Sequence, residues 1–128
     1  MSARDPLLDV YDALRTISNG DGEVDTVVIQ TPDRASFYVQ FCVQPGRVIW
    51  GEAVSNAYLD PEHALSPVQR QRLVDDGWHE PEGDVRNYFR QWPIRGSHDV
   101  LDIARATLRA FTDVYGVASP VDLLIEVF

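Results

Sequence analysis

Hydrophobic and polar residues alternate with two different periods along this chain, and each change of period marks a new structural element. In residues 5–19, apolar side chains recur every three or four positions, which is typical of an amphipathic helix. Asp5 can cap the start of this helix, and Pro6 suits its first position. Asn19 and Gly20 are natural stop residues. The pattern therefore predicts a first helix that ends just before residue 20.

From Val24 onward the period changes to two. Three alternating segments, "VDTVVIQ", "SFYVQFCVQ" and "RVIWGEAVSNAYL", are separated by turn-forming residues and predict an antiparallel three-stranded meander. The middle strand has an apolar face and a semi-polar face, formed by Phe37, Val39, Phe41 and Val43 and by Tyr38, Gln40, Cys42 and Gln44 respectively. We expect the apolar face to meet helices and the semi-polar face to remain open to a partner.

Two further helices are indicated after the meander. Ser66 can cap a helix that has proline at its first position, and Gln69 can reach back to the cap, while Gly77 ends the helix. A longer helix is predicted over residues 97–115, where one apolar stripe faces away from charged residues, and Gly116 is its stop.

The C-terminal segment "LLIEVF" can be read as a helix or as a strand, and the pattern does not separate the two. Its apolar residues occupy both faces of a strand and more than one face of a helix, so neither structure could direct all of them into one thin core. The segment and the semi-polar sheet face therefore predict self-association, with a homodimer as the default because most small oligomers are two-fold symmetric. A client or a C-terminal extension could cover the same surface. The residues concerned are Leu123, Leu124, Ile125, Val127 and Phe128.

These elements predict an α+β fold in which a three-stranded or larger antiparallel sheet packs against helices. The expected order is roughly α-β-β-β-α-α, followed by a short C-terminal helix or strand. With 128 residues, of which 45% are hydrophobic, the chain can build one core of ordinary size. We therefore expect a single domain over residues 1–128.

The charge balance narrows the set of partners. Twenty acidic residues oppose 11 basic ones, for a formal net charge of −9, so nucleic acid and anionic membranes are poor partners. No stretch reads as a signal peptide or a membrane span. Cys42, the one cysteine, cannot form an internal disulfide, and a buried, inert thiol is expected there. These features favour a cytoplasmic protein.

Residues for catalysis or metal binding do not form a recognisable motif. His63, His79 and His98 are too widely spaced to place two ligands on one helix face, and no HExxH, GxSxG or phosphate-binding loop occurs. We therefore predict no catalytic residue, no metal ligand and no cofactor, and a protein that is not an enzyme.

The segment "DDGWHEPEGDVRNYFRQW", residues 75–92, combines acids and a histidine with several aromatic residues. The acids would suit a metal or acid/base site, whereas the aromatic residues would suit a segment anchored on a core. Trp78 is expected to be such an anchor. Aromatic residues outside regular elements are also common interface anchors. The predicted partner-binding residues are Tyr38, Gln40, Trp50, Tyr58, Tyr88 and Trp92.

Three short motifs resemble those of the YbjN-like, type III secretion chaperone-like domains known as TY-Chap. The first is an E-x-V-S-N-like segment at the end of a strand, the second a G-W-x-x-P-like signature after a helix, and the third an asparagine–aromatic pair. Asp76 departs from the second motif, in which an apolar residue is usual. The matching structural signature residues are Glu52, Val54, Ser55 and Asn56, then Gly77, Trp78 and Pro81, then Asn87 with Tyr88.

The resemblance implies an α+β fold and a non-enzymatic role in binding a peptide or protein, often as a dimer and linked to secretion. It also favours the structural interpretation of residues 75–92. The leading hypothesis is a chaperone-like or adaptor module for a peptide or protein client. The alternative is an acidic immunity or inhibitor protein that masks a basic enzyme.

Overall fold

The helices lie where the hydrophobic pattern predicts them. A computed structural model describes residues 5–19, 22–32 and 37–128, and three α-helices occur in these segments. None of the helices in the described segments is long and apolar enough to cross a membrane. Their bounds are Pro6–Ser18 for α1, Pro67–Asp75 for α2 and Ser97–Arg109 for α3, which continues into a π-helical turn at Ala110–Val114.

The strands form one five-stranded antiparallel sheet with the order β4-β3-β2-β1-β5. This arrangement confirms the predicted α+β fold. The strands are Thr26–Gln30 for β1, Tyr38–Gln44 for β2, Val48–Ala53 for β3, Tyr88–Pro93 for β4 and Leu124–Val127 for β5.

The predicted helix starts are confirmed by their capping hydrogen bonds. The carboxylate of Asp5 accepts hydrogen bonds from two backbone N–H groups in the first turn of α1, the shorter of them at 3.0 Å from Leu7. At α2, the backbone N–H of Gln69 donates to the Ser66 hydroxyl, and the Gln69 side chain accepts from the Ser66 N–H at 2.8 Å. These bonds satisfy donors that the helix itself leaves free.

Strand β4 is the main departure from the predicted order of elements. Its inward positions include Arg90, a charge in a place where alternation would require an apolar residue. The structure tolerates this residue because its guanidinium lies 4.7 Å from the centroid of the Trp92 ring and donates a 2.6 Å hydrogen bond to the Asp76 carbonyl. A paired and stacked guanidinium can be partly buried at little cost.

The open choice for the C-terminal segment is settled as a strand. Strand β5 pairs with β1, and Phe128 continues the ladder by exchanging backbone hydrogen bonds with Thr26. This pairing satisfies the backbone N–H and C=O groups along the edge of β1, which a helix in the same place would leave without partners.

The core lies between the helices and one face of the sheet, here called the inner face. Gly51 occupies a crowded point of this face, because a Cβ atom there would lie 2.8 Å from the rings of both Phe41 and Trp92. The missing side chain lets these two aromatic rings approach each other, with centroids 6.0 Å apart. Other inner-face residues that are fully buried include Val27, Ile29, Val39, Ile49 and Ala53.

Trp78 joins the end of α2 to this aromatic region. Its side chain is only 2% exposed, and its ring meets that of Trp92 edge to face, with centroids 5.6 Å apart. Gly77 has a positive φ of 109°, so it can reverse the chain directly after α2 and direct the indole inward. The segment from residue 75 to 92 is thus anchored on the core, as the structural interpretation predicts.

Replacement of Trp78 by alanine should lower the free energy of unfolding by about 3–5 kcal/mol, because it removes a large buried aromatic side chain. Tyr58→Ala is the control, since Tyr58 is 54% exposed and its loss should cost no more than about 0.5 kcal/mol. Denaturant titration of both variants measures the difference. A loss below about 1 kcal/mol for Trp78→Ala would contradict the anchoring role.

The C-terminal strand buries only part of its apolar surface. Leu123 is buried, whereas Leu124 and Phe128 are 47% and 57% exposed. Both exposed side chains lie at the sheet edge, where β5 has a neighbour on one side only. This exposure supports the expectation that some of the segment meets another chain.

We expect the protein to self-associate in the micromolar range, because exposed apolar residues beside an unpaired edge favour a two-fold contact. Leu124→Ser with Phe128→Ser should shift sedimentation toward the monomer. Leu8→Ser, which changes a similarly exposed leucine on α1, should not. A parent protein that sediments as a monomer at every concentration, with no hydrophobic dye binding, would contradict this prediction.

Candidate functional site

The sheet face opposite the core, here called the outer face, carries no helix in the described part of the chain. Its side chains are half-buried or exposed, and they mix amides, aromatic groups and aliphatic groups. Because alternate residues of a strand share a face, the strand pairing defines the set. The central members are Val28, Gln30, Tyr38, Gln40, Cys42, Gln44, Val48, Trp50, Glu52, Phe89 and Gln91, and β5 adds Leu124 and Glu126.

The predicted partner-binding residues fall into two groups. Tyr38, Gln40 and Trp50 lie on the outer face, and Tyr58 lies exposed in the loop that follows β3. The other two, Tyr88 and Trp92, point to the inner face and are buried. The fold therefore brings the first group together and leaves the second group little surface for a partner.

An aromatic cluster on the outer face consists of Trp50, Phe89 and His79. The rings of Trp50 and Phe89 are stacked, with centroids 5.2 Å apart and planes 10° from parallel. The ring of His79 also lies beside that of Phe89, with centroids 5.2 Å apart, because residues 79 and 89 exchange backbone hydrogen bonds. Phe89 and His79 were absent from the predicted set. Period-two reading of "NYFRQW" would have placed Phe89 on the face opposite Tyr88 and Trp92.

A polar network borders the aromatic cluster. The indole Nε1–H of Trp50 donates to Glu52 Oε2 at 2.9 Å, and Nδ2 of Asn87 donates to Glu52 Oε1 at 3.3 Å. The same Asn87 amide also donates to the Tyr38 hydroxyl at 3.0 Å. The half-buried Glu52 carboxylate is therefore held in place from two sides by neutral donors.

Burial and nearby carboxylates raise the pKa values of two titratable groups on the outer face. Partial burial raises the pKa of the Tyr38 hydroxyl, and the Glu52 carboxylate adds to the rise. Partial burial also raises the pKa of the Cys42 thiol, with Asp25 and Glu52 contributing. Both groups consequently stay neutral at physiological pH, and a raised thiol pKa disfavours a reactive thiolate.

Ser55 and Asn56, two of the signature residues, connect the end of β3 to other segments: Ser55 to the start of β4, and Asn56 to the residue before the cap of α2. The Ser55 hydroxyl donates to the Arg86 carbonyl at 2.6 Å, and the Ser55 N–H donates to Asn87 Oδ1 at 3.0 Å. Asn56 binds both backbone groups of Leu65 through its side-chain amide, at 2.7 and 3.1 Å. These bonds fix the loops that hold the outer-face network in register.

The second signature sits at the turn after α2. A Cβ atom on Gly77 would lie 2.9 Å from the Arg90 guanidinium, which would have to shift, and the positive φ of 109° favours glycine there. Asp76, the departure from the TY-Chap motif, accepts a 3.0 Å hydrogen bond from Arg109 Nε. Pro81 is exposed and lines a shallow cleft beside Ser55.

The three histidines are not brought together by the fold. His63 has the carboxylates of Asp60 and Glu62 nearby, with the possible ligand atoms within 4.8 Å of one another. His79 belongs to the aromatic cluster, and His98 Nε2 lies 3.4 Å from the Asp99 carboxylate. The Nδ1 atom of His63 is buried and has no hydrogen-bond partner among the described residues.

The fold is an α+β domain whose sheet is covered by helices on one side and carries aromatic and amide groups on the other. A family model described as "T3SS (YopN, CesT) and YbjN peptide-binding chaperone 3", or TY-Chap3, matches residues 9–128. The chain therefore belongs to the TY-Chap3 family of peptide-binding chaperones, which confirms the resemblance. No curated protein and no solved structure matches the chain.

We expect zinc to leave the thermal unfolding midpoint unchanged, because exposed carboxylates from a single turn offer a poor set of fixed ligands. The matched comparison is the double variant His63→Ala with His79→Ala, which should respond to zinc in the same way as the parent. Binding to the native state must raise its stability. A midpoint that rises with zinc in the parent and not in the variant would therefore reveal a metal site.

Proposed function

We propose that this protein is a chaperone-like or adaptor module that holds an extended segment of a client protein against its outer face. The single observation that carries the proposal is the stacked pair of Trp50 and Phe89 on a sheet face with no covering helix. Half-exposed aromatic side chains of this kind supply large contact areas at a low cost in side-chain entropy. Membership of a peptide-binding chaperone family supports the same role.

The four outer-face amides suit an extended backbone as the ligand. Gln30, Gln40, Gln44 and Gln91 each carry a donor and an acceptor, and only the last two are hydrogen-bonded to each other, at 3.1 Å. A client main chain lying across the sheet could exchange hydrogen bonds with these amides while its side chains contact the aromatic cluster. Such binding would tolerate different client sequences.

The wider setting of the proposal follows from charge and family. We propose a cytoplasmic, non-enzymatic protein that needs no cofactor, works as a homodimer and is linked to secretion of its client. Nucleic acid and anionic membranes are not proposed as partners, because the net charge of −9 would repel them.

The second candidate function is an immunity or inhibitor protein that masks a basic enzyme, and the net charge of −9 favours it. The two functions differ in their salt dependence. Association of an acidic inhibitor with a basic enzyme should slow steeply as sodium chloride is raised, because screening removes long-range attraction. Capture of a client mainly by aromatic contacts should slow much less.

The proposed function is tested with a displayed library of random peptides selected on the full chain. We expect enriched peptides to lose about tenfold in affinity for Trp50→Ala, because central aromatic residues dominate interface energies. Val68→Ala is the control, since Val68 is an exposed apolar residue of α2 and is not part of the outer face. Peptides that bind both variants and the parent equally would exclude the outer face as the site.

A further inference from the structure

Glu52 is a half-buried carboxylate with no basic partner among the described residues. Its two oxygens accept hydrogen bonds from the neutral Trp50 indole and Asn87 amide only. Each carboxylate oxygen can accept more than one hydrogen bond, so acceptor capacity remains unused. A cationic side chain could donate charge-assisted hydrogen bonds to these free positions.

The described strands supply no cation to Glu52 on the outer face. None of the outward-pointing residues of the described strands is basic, and the acidic residues among them are Glu52 and Glu126. The stacked rings of Trp50 and Phe89 lie beside Glu52, because Phe89 is directly opposite Glu52 in the strand register. The negative faces of aromatic rings attract cations.

We propose that Glu52, Trp50 and Phe89 form a subsite that binds an arginine side chain of the client segment. This inference rests on the proposed peptide-binding function and adds the chemistry of the residue that the outer face selects. A planar guanidinium can lie against the aromatic rings while its N–H groups donate to the free positions of the Glu52 carboxylate. A lysine ammonium could satisfy the charge but not the stacking.

Charge complementarity identifies the occupant as a client rather than a second copy of this chain. A second copy placed on the same face would bring its own Glu52 and Glu126 and a further charge of −9 toward the site. Like charges at close range oppose such a contact. The apolar residues Leu124 and Phe128 lie at the far edge of the sheet, so self-association there leaves the subsite free.

The test uses the three indole N–H signals of the ¹⁵N-labelled full chain, since the protein has three tryptophans. The probe is a soluble, end-blocked peptide of alternating serine and valine with arginine at its centre, and its matched forms carry citrulline or lysine there. We expect the arginine peptide to shift the Trp50 signal saturably and to bind about fivefold to tenfold more tightly than the citrulline peptide.

Two variants locate the effect. Glu52→Gln keeps the size of the side chain and one of its two accepted hydrogen bonds but removes the charge, so arginine and citrulline peptides should then bind equally. Glu126→Gln makes the same change on the same face and in the same cross-strand row, three strands and roughly 14 Å away, so it should keep the preference. The comparison of peptides in the parent remains decisive even if Glu52→Gln unfolds.

Several results would overturn the subsite. Equal binding of the arginine and citrulline peptides at the Trp50 signal would reject it while leaving the proposed peptide-binding function intact. Lysine binding as tightly as arginine would show that charge alone is selected. A Trp50 signal that shifts with protein concentration and not with peptide would show that a second copy covers the face. An arginine preference that survives in Glu52→Gln would place the selecting group elsewhere.

Discussion

The aromatic packing around Gly51 is the interaction on which the rest of the structure depends. Because this strand position has no side chain, the rings of Phe41 and Trp92 can meet above it, and Trp78 closes the group from the end of α2. That contact joins the connection between α2 and β4 to the centre of the sheet. Any side chain at residue 51 would have to displace two large rings, which close-packed interiors do not allow cheaply.

Anchoring β4 in this way has a direct consequence for the other side of the sheet. Since alternate residues point in opposite directions, burial of Trp92 and Tyr88 on the inner face places Phe89 on the outer face, beside Trp50. The packing of the core and the composition of the outer face are therefore set by the same strand register. A shift of one residue in β4 would exchange the two roles.

The signature residues stabilise the loops of the fold, and one of them also orients side chains on the outer face. Asn87 holds the turn at Ser55 through its Oδ1 atom and holds Glu52 and Tyr38 through its Nδ2 atom. One buried amide thus connects the geometry of the loop with the orientation of Glu52 beside the aromatic cluster. These hydrogen bonds hold the side chains in fixed orientations, and groups that are oriented in advance bind with less loss of entropy.

Local chemistry in the sequence determined the helix starts at Asp5 and Ser66, the alternation in β2 and the anchoring of Trp78, because caps, periods and glycine turns act over a few residues. It also carried the motifs that place the chain in its family. Only the tertiary structure decided that β4 is a strand despite Arg90, that the C-terminal segment pairs with β1, and that Glu52, Trp50 and Phe89 meet. Those outcomes depend on partners far away in the chain, and no local pattern reports them.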